Sequence, residues 1–304
     1  MGCEPTVDMQ ITMLGTTAMV PTKDRNHAAV FLEYKAEGIL FDCGEGTQRQ
    51  FKLAGIPMTK CTKVLLTHWH GDHVLGLPGL IQSLGAMEYG RTLHIYGPAK
   101  SKYHIARMFE AFHFDHRIEL EVHETDGGII YDDEDFYIEA LPLKHKVPCL
   151  GYAVVEKDRH RVNMAKLKKA GVPEGPHLRA LQEGGVLEYK GKKYKPEEYA
   201  ELVKGKKVAY VTDTLVCDNA IRIAKNADVV ICESSYAKDL QQKAIDHMHL
   251  SAHDAGLIAS RAGAKKLVIT HFSARYKNTH EVEADARDVF DNVIAAKDLM
   301  KISV

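Results

Sequence analysis

The sequence predicts an α/β protein in which helices cover β-sheets. Short apolar runs alternate with amphipathic helical stretches along the 304 residues, which excludes a pure β-sandwich and a helical bundle. Hydrophobic residues make up 45% of the chain and charged residues 27%, which excludes collagen-like and disordered proteins. At about 150 residues per domain, the length allows two domains or one large domain.

Short apolar runs bounded by turn residues predict the strands, and periodic stretches with capping residues predict the helices. The predicted strands are Met9–Met13, Ala28–Tyr34, Gly38–Phe41, Lys63–Thr67, Leu93–Tyr96, Phe136–Leu143, Lys207–Val211, Asp228–Cys232 and Leu267–Thr270. The predicted helices are Thr47–Ala54, Leu75–Leu84, Ser101–Phe112, Ala252–Ala262 and Val282–Phe290. Ser251 and Asp254 form a capping-box pattern before the fourth of these helices, and Gly263 marks its end.

Cysteine usage and hydropathy predict where the protein resides. Six cysteines without a CxxC pair indicate neither a disulfide framework nor a thiolate zinc knuckle. No apolar run reaches the roughly 20 residues that span a bilayer, and the N-terminus lacks the pattern of a secretory signal. We therefore expect a cytoplasmic protein with reduced thiols and no membrane partner.

Charge is distributed unevenly along the chain. Residues 157–207 contain 14 Lys or Arg and 7 Asp or Glu, a net charge of +7, so the remainder carries −8. This stretch is polar, contains several Gly and Pro residues, and interrupts strong β runs on either side. We interpret it as a flexible basic arm inserted into a single domain that spans residues 1–304. A basic stretch is usually a solvated face, and contact with nucleic-acid phosphates is the alternative.

The hexapeptide His68-Trp69-His70-Gly71-Asp72-His73 is the strongest chemical feature of the sequence. It lies between a predicted strand and a predicted helix, and four of its six side chains are metal-ligand types. His68 and His70 are spaced to bind one ion from an extended loop, whereas Asp72 and His73 at a helix start point elsewhere. The spacing therefore predicts two ions, and a solvated turn is the alternative.

Three further strand-like runs each end in a ligand-type residue, namely His145, Asp213 and His271. Ligands at the carboxyl ends of several strands are typical of sites in α/β proteins. If Asp213 bridges, each of two ions receives four protein contacts. Ligand type and affinity order favour zinc, with manganese as the alternative.

Other residues near these runs are candidates for supporting roles. Glu233 ends an apolar run and His249 precedes a helix start, and without further information a general-acid pair and ordinary surface residues are equally compatible with them. Ser273 and Arg275 are candidate phosphate contacts, against a solvated loop. Asp42 is either a partner of a metal histidine or a turn cap. The remaining histidines, including His94 and His123, are expected to be structural or solvated.

The hexapeptide together with His145, Asp213 and His271 resembles the metallo-β-lactamase superfamily. Within it, several stretches resemble the ribonuclease Z family of tRNA 3′-processing endonucleases. These stretches run in order over almost the whole chain: Leu14–Pro21, Arg25-Asn26, Phe41–Gln48, Thr67–Gly79, Gly151-Tyr152, Gly175-Pro176 and Thr270–Tyr276. One departure is Thr212, which stands where the family usually has glycine before the aspartate.

The resemblance implies a four-layer αββα sandwich and a zinc-dependent endoribonuclease. Its expected reaction removes the 3′ trailer from precursor tRNA through attack by a metal-activated hydroxide, leaving a 3′-hydroxyl on the tRNA. Asp72 would be both a ligand and the general base, while His249 would protonate the leaving group and Glu233 would orient that histidine. The basic arm would be an exosite for the tRNA body, and the protein would be a homodimer.

Two other functions fit parts of the sequence. One is another hydrolase of the same fold acting on small phosphodiesters or esters, which the presence of the arm disfavours. The other is a non-catalytic RNA-binding protein, which the retention of Asp72, His73 and His271 disfavours. Cleavage of a 3′-extended tRNA distinguishes all three.

Overall fold

The computed structural model describes residues 9–113 and 117–304. The strands are β1 Gln10–Gly15, β2 Thr17–Ala18, β3 Ala29–Tyr34, β4 Glu37–Phe41, β5 Lys63–Leu65, β6 Thr92–Gly97, β7 Glu119–Glu124, β8 Gly128–Asp132, β9 Phe136–Leu143, β10 Cys149–Glu156, β11 Arg159–Val162, β12 Leu187–Tyr189, β13 Lys192–Tyr194, β14 Ala200–Val203, β15 Lys207–Val211, β16 Val229–Glu233, β17 Leu267–Thr270, β18 Phe272–Ser273, β19 Val293–Ala295 and β20 Lys301–Ser303.

The α-helices alternate with these strands, which confirms the α/β class. They are α1 Thr47–Ala54, α2 Gly71–Val74, α3 Leu77–Ala86, α4 Ser101–Ala111, α5 Met164–Lys169, α6 Arg179–Gln182, α7 Pro196–Tyr199, α8 Asp218–Ala224, α9 Gln241–His247, α10 Ala252–Ala262 and α11 His280–Arg287. Short 3₁₀ helices span Met58–Lys60, Pro176–Leu178 and Lys238–Leu240. No helix among the described residues is long and apolar enough to cross a membrane.

Two seven-stranded sheets form the centre of the fold. Their strand orders are β20-β1-β3-β4-β5-β6-β7 and β19-β17-β16-β15-β10-β9-β8. β4 to β7 are parallel to one another, and so are β15, β16, β17 and β19. Because parallel strands end at the same edge of a sheet, residues that follow them meet there.

The sheets face each other and helices cover their outer faces. The ring of Phe41 lies 5.2 Å from that of Tyr210 on the facing sheet, and the Tyr152 hydroxyl donates to the Leu66 carbonyl oxygen at 2.7 Å. On the other face of the first sheet, apolar strand residues such as Ile95 are buried with residues of α1, α3 and α4. α8 and α10 contact β15 to β17. This is the expected four-layer αββα sandwich.

Most predicted elements are present; the last helix lies at His280–Arg287 rather than Val282–Phe290, and two other boundaries differ for a clear physical reason. The predicted helix Leu75–Leu84 is instead α2 followed by α3, because Pro78 occupies the first turn of α3 and starts a new helix. The strand predicted to reach Thr67 ends at Leu65, because the Thr67 N–H donates to the Asp42 side chain rather than to a neighbouring strand. The Ser251 capping box is confirmed, with Gly263 at a φ of 63°.

The chain forms two compact units. The larger comprises the described residues up to Asp132, together with Ile138–Val154 and Lys207–Val304; the smaller comprises Asp133–Tyr137 and Val155–Lys206. In the smaller unit β11 pairs with β14 and β12 with β13, both antiparallel. Its own small core contains Leu167, Val172, Leu178, Leu181, Leu187 and Tyr194. Five cysteines are free thiols, and Cys3 lies outside the described residues.

Candidate metal centre

Strand ends deliver the predicted ligand residues to one place. His68 and His70 follow β5, His145 follows β9, Asp213 follows β15 and His271 follows β17. All of these side chains belong to the larger unit. Two of the resulting groups of ligand atoms contain atoms of the hexapeptide, and another joins Asp213 and His271 to Glu233 and His249.

The first group consists of His68, His70, His145 and Asp213. His70 Nδ1 lies 3.0 Å from His68 Nε2 and 3.3 Å from His145 Nε2. Asp213 Oδ2 lies 3.6 Å from His68 Nε2 and 3.9 Å from His145 Nε2. Four ligand atoms therefore face a common point.

The second group consists of Asp72, His73 and His271. The two Nε2 atoms of the histidines are 3.2 Å apart, and Asp72 Oδ2 lies 3.6 Å from His73 Nε2 and 3.5 Å from His271 Nε2. Asp213 Oδ2 is also 3.6 Å from His73 Nε2. Since the same oxygen borders the first group, Asp213 lies between the two groups, where a bridging carboxylate would have to be.

The geometry of both groups fits divalent cations. Metal–ligand bonds of about 2.0–2.2 Å in a tetrahedron put neighbouring ligand atoms roughly 3.3–3.6 Å apart, close to the distances above. The outer nitrogens have their own partners: His73 Nδ1 lies 2.8 Å from an Asp42 oxygen and His145 Nδ1 lies 3.0 Å from the Met248 carbonyl oxygen. The inner nitrogens of these two rings are thus the ones that face the ligand groups.

Burial keeps several of the imidazoles neutral. It lowers the pKa of His68, His70 and His145, so that each ring retains a free lone pair near neutrality. Burial alone would raise the pKa of Asp72, but the hydrogen bond from His271 and the charge of His73 hold it below its ordinary range. Burial would lower the pKa of His73 and His271, but the neighbouring carboxylates raise it, so these two rings would release a proton when a divalent cation binds.

Asp42 fixes the orientation of His73. It is fully buried, and its Oδ2 accepts hydrogen bonds from His73 Nδ1 at 2.8 Å and from the Tyr210 hydroxyl at 3.1 Å. Its Oδ1 accepts from the N–H and hydroxyl of Thr67 at 2.8 and 2.9 Å. Of the two roles that the sequence allowed, the geometry therefore favours the partner of a metal histidine. Asp42 and His271 both adopt positive φ, 55° and 59°, which is uncommon outside glycine.

Glu233 and His249 form a close pair beside Asp213. Glu233 Oε2 lies 3.0 Å from His249 Nδ1, and the carboxylate also accepts from the Thr214 N–H at 2.9 Å and the Ser235 hydroxyl at 2.7 Å. Because these other partners donate, Glu233 is an ionised acceptor and His249 Nδ1 carries the proton. His249 Nε2 is left for other partners, and the ring is 19% exposed.

Electrostatics favour the charged form of both members of this pair. Burial would raise the pKa of Glu233, yet the charge of His249 holds it at about 2. Burial would lower the pKa of His249, but the charge and hydrogen bond of Glu233 raise it above its ordinary value. The arrangement is that of a carboxylate holding a protonated imidazole.

Ser273 and Arg275 lie beside this pair rather than in either ligand group. Arg275 Nε donates to the Ser273 hydroxyl at 3.1 Å, and the guanidinium lies 5.1 Å above the Tyr236 ring. That ring is 6.2 Å from the ring of His249. The Tyr236 ring therefore neighbours both the Arg275 guanidinium and the His249 ring.

Two contributors to the site have no recognisable signal in the sequence. The Met19 N–H donates to Asp72 Oδ2 at 2.8 Å across 53 residues. The Ser235 hydroxyl lies 3.0 Å from His271 Nδ1 and donates to Glu233, and thereby links the second ligand group to the Glu233–His249 pair. Only the tertiary fold reveals these contacts.

Comparisons with known proteins agree with this geometry. A family model described as a beta-lactamase superfamily domain matches residues 199–272, and one described as anti-Pycsar protein Apyc1 matches residues 9–107. Ribonuclease Z of Methanothermobacter thermautotrophicus is 38% identical over 297 residues, covering 97% of each chain. The chain belongs to the ribonuclease Z family. Ribonuclease Z of Crocosphaera subtropica is 37% identical over 306 residues, covering 97% of this chain and 98% of that one.

Solved structures confirm the fold of this ribonuclease Z family member. Human tRNase Z, short form, superimposes with a TM-score of 0.72 at 29% identity, covering 97% of this chain and 99% of that one. The metallo-beta-lactamase fold protein YhfI of Bacillus subtilis gives 0.70 at 20% identity, covering 98% and 100% of the two chains. The metallo-β-lactamase fold and the family resemblance drawn from the sequence are both confirmed.

Proposed function

We propose that the protein is a divalent-metal-dependent endoribonuclease that removes the 3′ trailer from precursor tRNA and leaves a 3′-hydroxyl on the tRNA. The observation that carries the proposal is the pair of ligand groups sharing Asp213 beside the Glu233–His249 pair, in a chain of the ribonuclease Z family. Phosphodiester hydrolysis needs charge neutralisation at the phosphoryl group and a proton for the leaving oxygen, and this arrangement offers both.

The two ligand groups would hold two zinc ions, with manganese as the alternative. His68, His70, His145 and Asp213 would hold one, while Asp72, His73 and His271, again with Asp213, would hold the other. When bound, such ions supply positive charge to the phosphoryl oxygens and acidify water. The Asp72 carboxylate, held by the Met19 N–H at 2.8 Å, would orient the attacking water and accept its proton.

His249 would protonate the 3′ oxygen that leaves. Because its Nδ1 is 3.0 Å from Glu233, its Nε2 is the nitrogen that can reach substrate. Glu233 then has two tasks: it fixes the plane of the ring and stabilises its positive charge. Ser273 and Arg275, one aromatic ring away, would contact phosphate groups of the RNA strand.

Cleavage of a 3′-extended tRNA transcript tests the proposal. We expect cleavage that chelator abolishes and Zn²⁺ restores, and a loss of about 10²–10⁴-fold in kcat for His249→Ala with metal content unchanged. His247→Ala, an exposed histidine two residues away, is the matched control and should cleave normally. Cleavage by Asp72→Ala at the wild-type rate would refute the assigned roles, and a failure to cut tRNA while hydrolysing a small phosphodiester would favour the alternative hydrolase.

The smaller unit would bind the body of the tRNA. Its helix α5 carries Lys166, Lys168 and Lys169, all exposed, in a segment with a net charge of +7 between residues 157 and 207. Lysines of this kind contact phosphates without reading bases. Replacing the three lysines by glutamine should raise KM for precursor tRNA. It should also reduce the slope of log affinity against log salt concentration by roughly 0.7–0.9 for each phosphate contact that is lost. Hydrolysis of a small phosphodiester should not change, and equal losses on both substrates would contradict the exosite.

Two further parts of the proposal rest on the family resemblance and on the cysteines. We propose a homodimer, which sedimentation of the purified protein tests directly. We also propose a cytoplasmic location, since five cysteines are free thiols and reducing compartments keep them so. A monomer at micromolar concentration would contradict the first, and export in a cell-fractionation experiment would contradict the second.

A further inference from the structure

A further group of ligand-type side chains lies away from the candidate metal centre, on β6 and β7. The two strands are parallel neighbours, with His94 opposite Glu121 and Tyr96 opposite His123. Since side chains alternate along a strand, His94, Glu121 and His123 project from the same face. Leu93, Ile95, Leu120 and Val122 occupy the other face and pack with the helices of the core.

The three ligand atoms are spaced like the face of a metal tetrahedron. His94 Nδ1 lies 3.3 Å from His123 Nε2 and 3.4 Å from Glu121 Oε2, and the last two atoms are 3.6 Å apart. Metal–ligand bonds of about 2.0–2.2 Å put tetrahedral ligands roughly 3.3–3.6 Å apart. The metal centre shows the same combination of two imidazole nitrogens, 3.2 Å apart in His73 and His271, with a carboxylate oxygen 3.5–3.6 Å away.

The surroundings hold the ligands in place and leave one side open. The His123 ring stacks on Tyr96 at 4.6 Å with an interplanar angle of 17°, which fixes its orientation. Burial and the neighbouring His94 lower the pKa of His123, so its ring is neutral at pH 7 and offers a lone pair. His94 is 33% exposed, His123 38% and Glu121 52%, so solvent reaches the remaining coordination position.

We propose that His94, Glu121 and His123 form a second metal site, which binds one divalent transition-metal ion such as Zn²⁺ with water in the fourth position. The two imidazole ligands favour zinc, nickel or copper over magnesium or calcium. His94 Nδ1 and His123 Nε2 are 3.3 Å apart, and an ion bound there would take the place of a proton shared between the two rings.

The proposed site is separate from the metal centre, and an ion bound there would link two neighbouring strands. His94 is paired with Lys63 on β5, and His68 of the metal centre comes five residues after Lys63. At about 3.3 Å per residue of extended chain, the two sites are on the order of 15 Å apart. β7 is the last strand of its sheet. An ion bound to His94 on β6 and to Glu121 and His123 on β7 therefore ties this edge strand to its neighbour.

Metal counting tests the proposal without relying on the proposed function. Wild type and His123→Gln are titrated with Co²⁺, whose visible spectrum reports tetrahedral sites, and with Zn²⁺ in competition with a chelator. We expect the variant to bind one equivalent fewer per chain and to cut 3′-extended tRNA as wild type does. Glu121→Gln should repeat the loss, while His280→Ala, an exposed histidine elsewhere, should bind the full complement.

Two further measurements decide the location and the consequence. A zinc-edge anomalous map of wild-type crystals should show a peak between the three side chains. Adding Zn²⁺ should slow amide hydrogen exchange in β7 of wild type but not of His123→Gln. Equal metal equivalents in wild type and both variants, or no anomalous peak at this place with zinc in excess, would overturn the proposal.

Discussion

Replacement of Asp42 by asparagine tests how the metal centre is held together. Asparagine has the same shape but replaces one acceptor oxygen by an NH₂ group. The carboxylate accepts from four donors, on His73, Tyr210 and Thr67, all within 3.1 Å. At least one buried donor therefore loses its acceptor in Asp42→Asn and faces another donor instead.

Two effects of this change can be given magnitudes. Loss of an acceptor for a buried donor costs about 1–3 kcal/mol of stability. Loss of the carboxylate that orients a metal histidine typically lowers metal affinity about 10–100-fold, equivalent to roughly 1.4–2.7 kcal/mol of binding energy. Both effects are expected together in Asp42→Asn, because the same oxygen, Oδ2, serves His73.

The assays separate stability from affinity. Urea unfolding in the presence of chelator gives the stability of the metal-free protein, and competition with a fluorescent zinc chelator gives the affinity. Tyr210→Phe is the matched control, because it removes one donor to the same oxygen and leaves His73 untouched. It should cost about 1 kcal/mol of stability and leave zinc affinity unchanged. Zinc affinity of Asp42→Asn within twofold of wild type would refute the orienting role.

Two predictions concern the fold around the site. In Gly76→Ala the new Cβ would lie 2.0 Å from the Gly44 carbonyl oxygen; we expect a loss of about 1–3 kcal/mol in urea unfolding, whereas Gly90→Ala, with no atom within 4 Å of the new Cβ, should unfold like wild type. Glu37 pairs with Lys63 at 2.5 Å; burial would raise its pKa, but the hydrogen bond from Lys63 lowers it overall. Its contribution to stability is therefore present at neutral pH and lost as pH falls below about 4, so Glu37→Gln should be less stable than wild type at pH 7 and approach it at pH 3.

The sequence pointed to the candidate ligands because His68, His145, Asp213 and His271 each come within three residues of the end of a strand. Apolar runs such as Leu267–Thr270 are visible in one dimension, and a ligand-type residue at the end of such a run stands out. The hexapeptide needs no tertiary information at all, since four ligand types fall within six residues. Where the strands are parallel, their ends necessarily share an edge of the sheet, so the convergence of distant residues follows from the topology.

Contacts that depend on register or on backbone groups could not be predicted in this way. β7 alternates half-buried and exposed residues and is rich in glutamate, so it gave no strong strand signal. Without β7 and its register, nothing relates His94 to His123 across 29 residues. The hydrogen bond from the Met19 N–H to Asp72 involves a main-chain donor that every residue except proline possesses, so no side-chain pattern could mark it.

The metal centre and the proposed site on β6 and β7 differ in burial and in the partners that orient their histidines. In the candidate metal centre four of the seven ligand residues are buried and three are half-buried, and each of His73 and His145 has a separate acceptor for its outer nitrogen. In the His94, Glu121 and His123 group the ligands are one-third to one-half exposed, and stacking on Tyr96 supplies the orientation instead. Outer acceptors and burial both strengthen metal binding, so chelator should remove the ion of the exposed group first, at concentrations that leave tRNA cleavage unaffected.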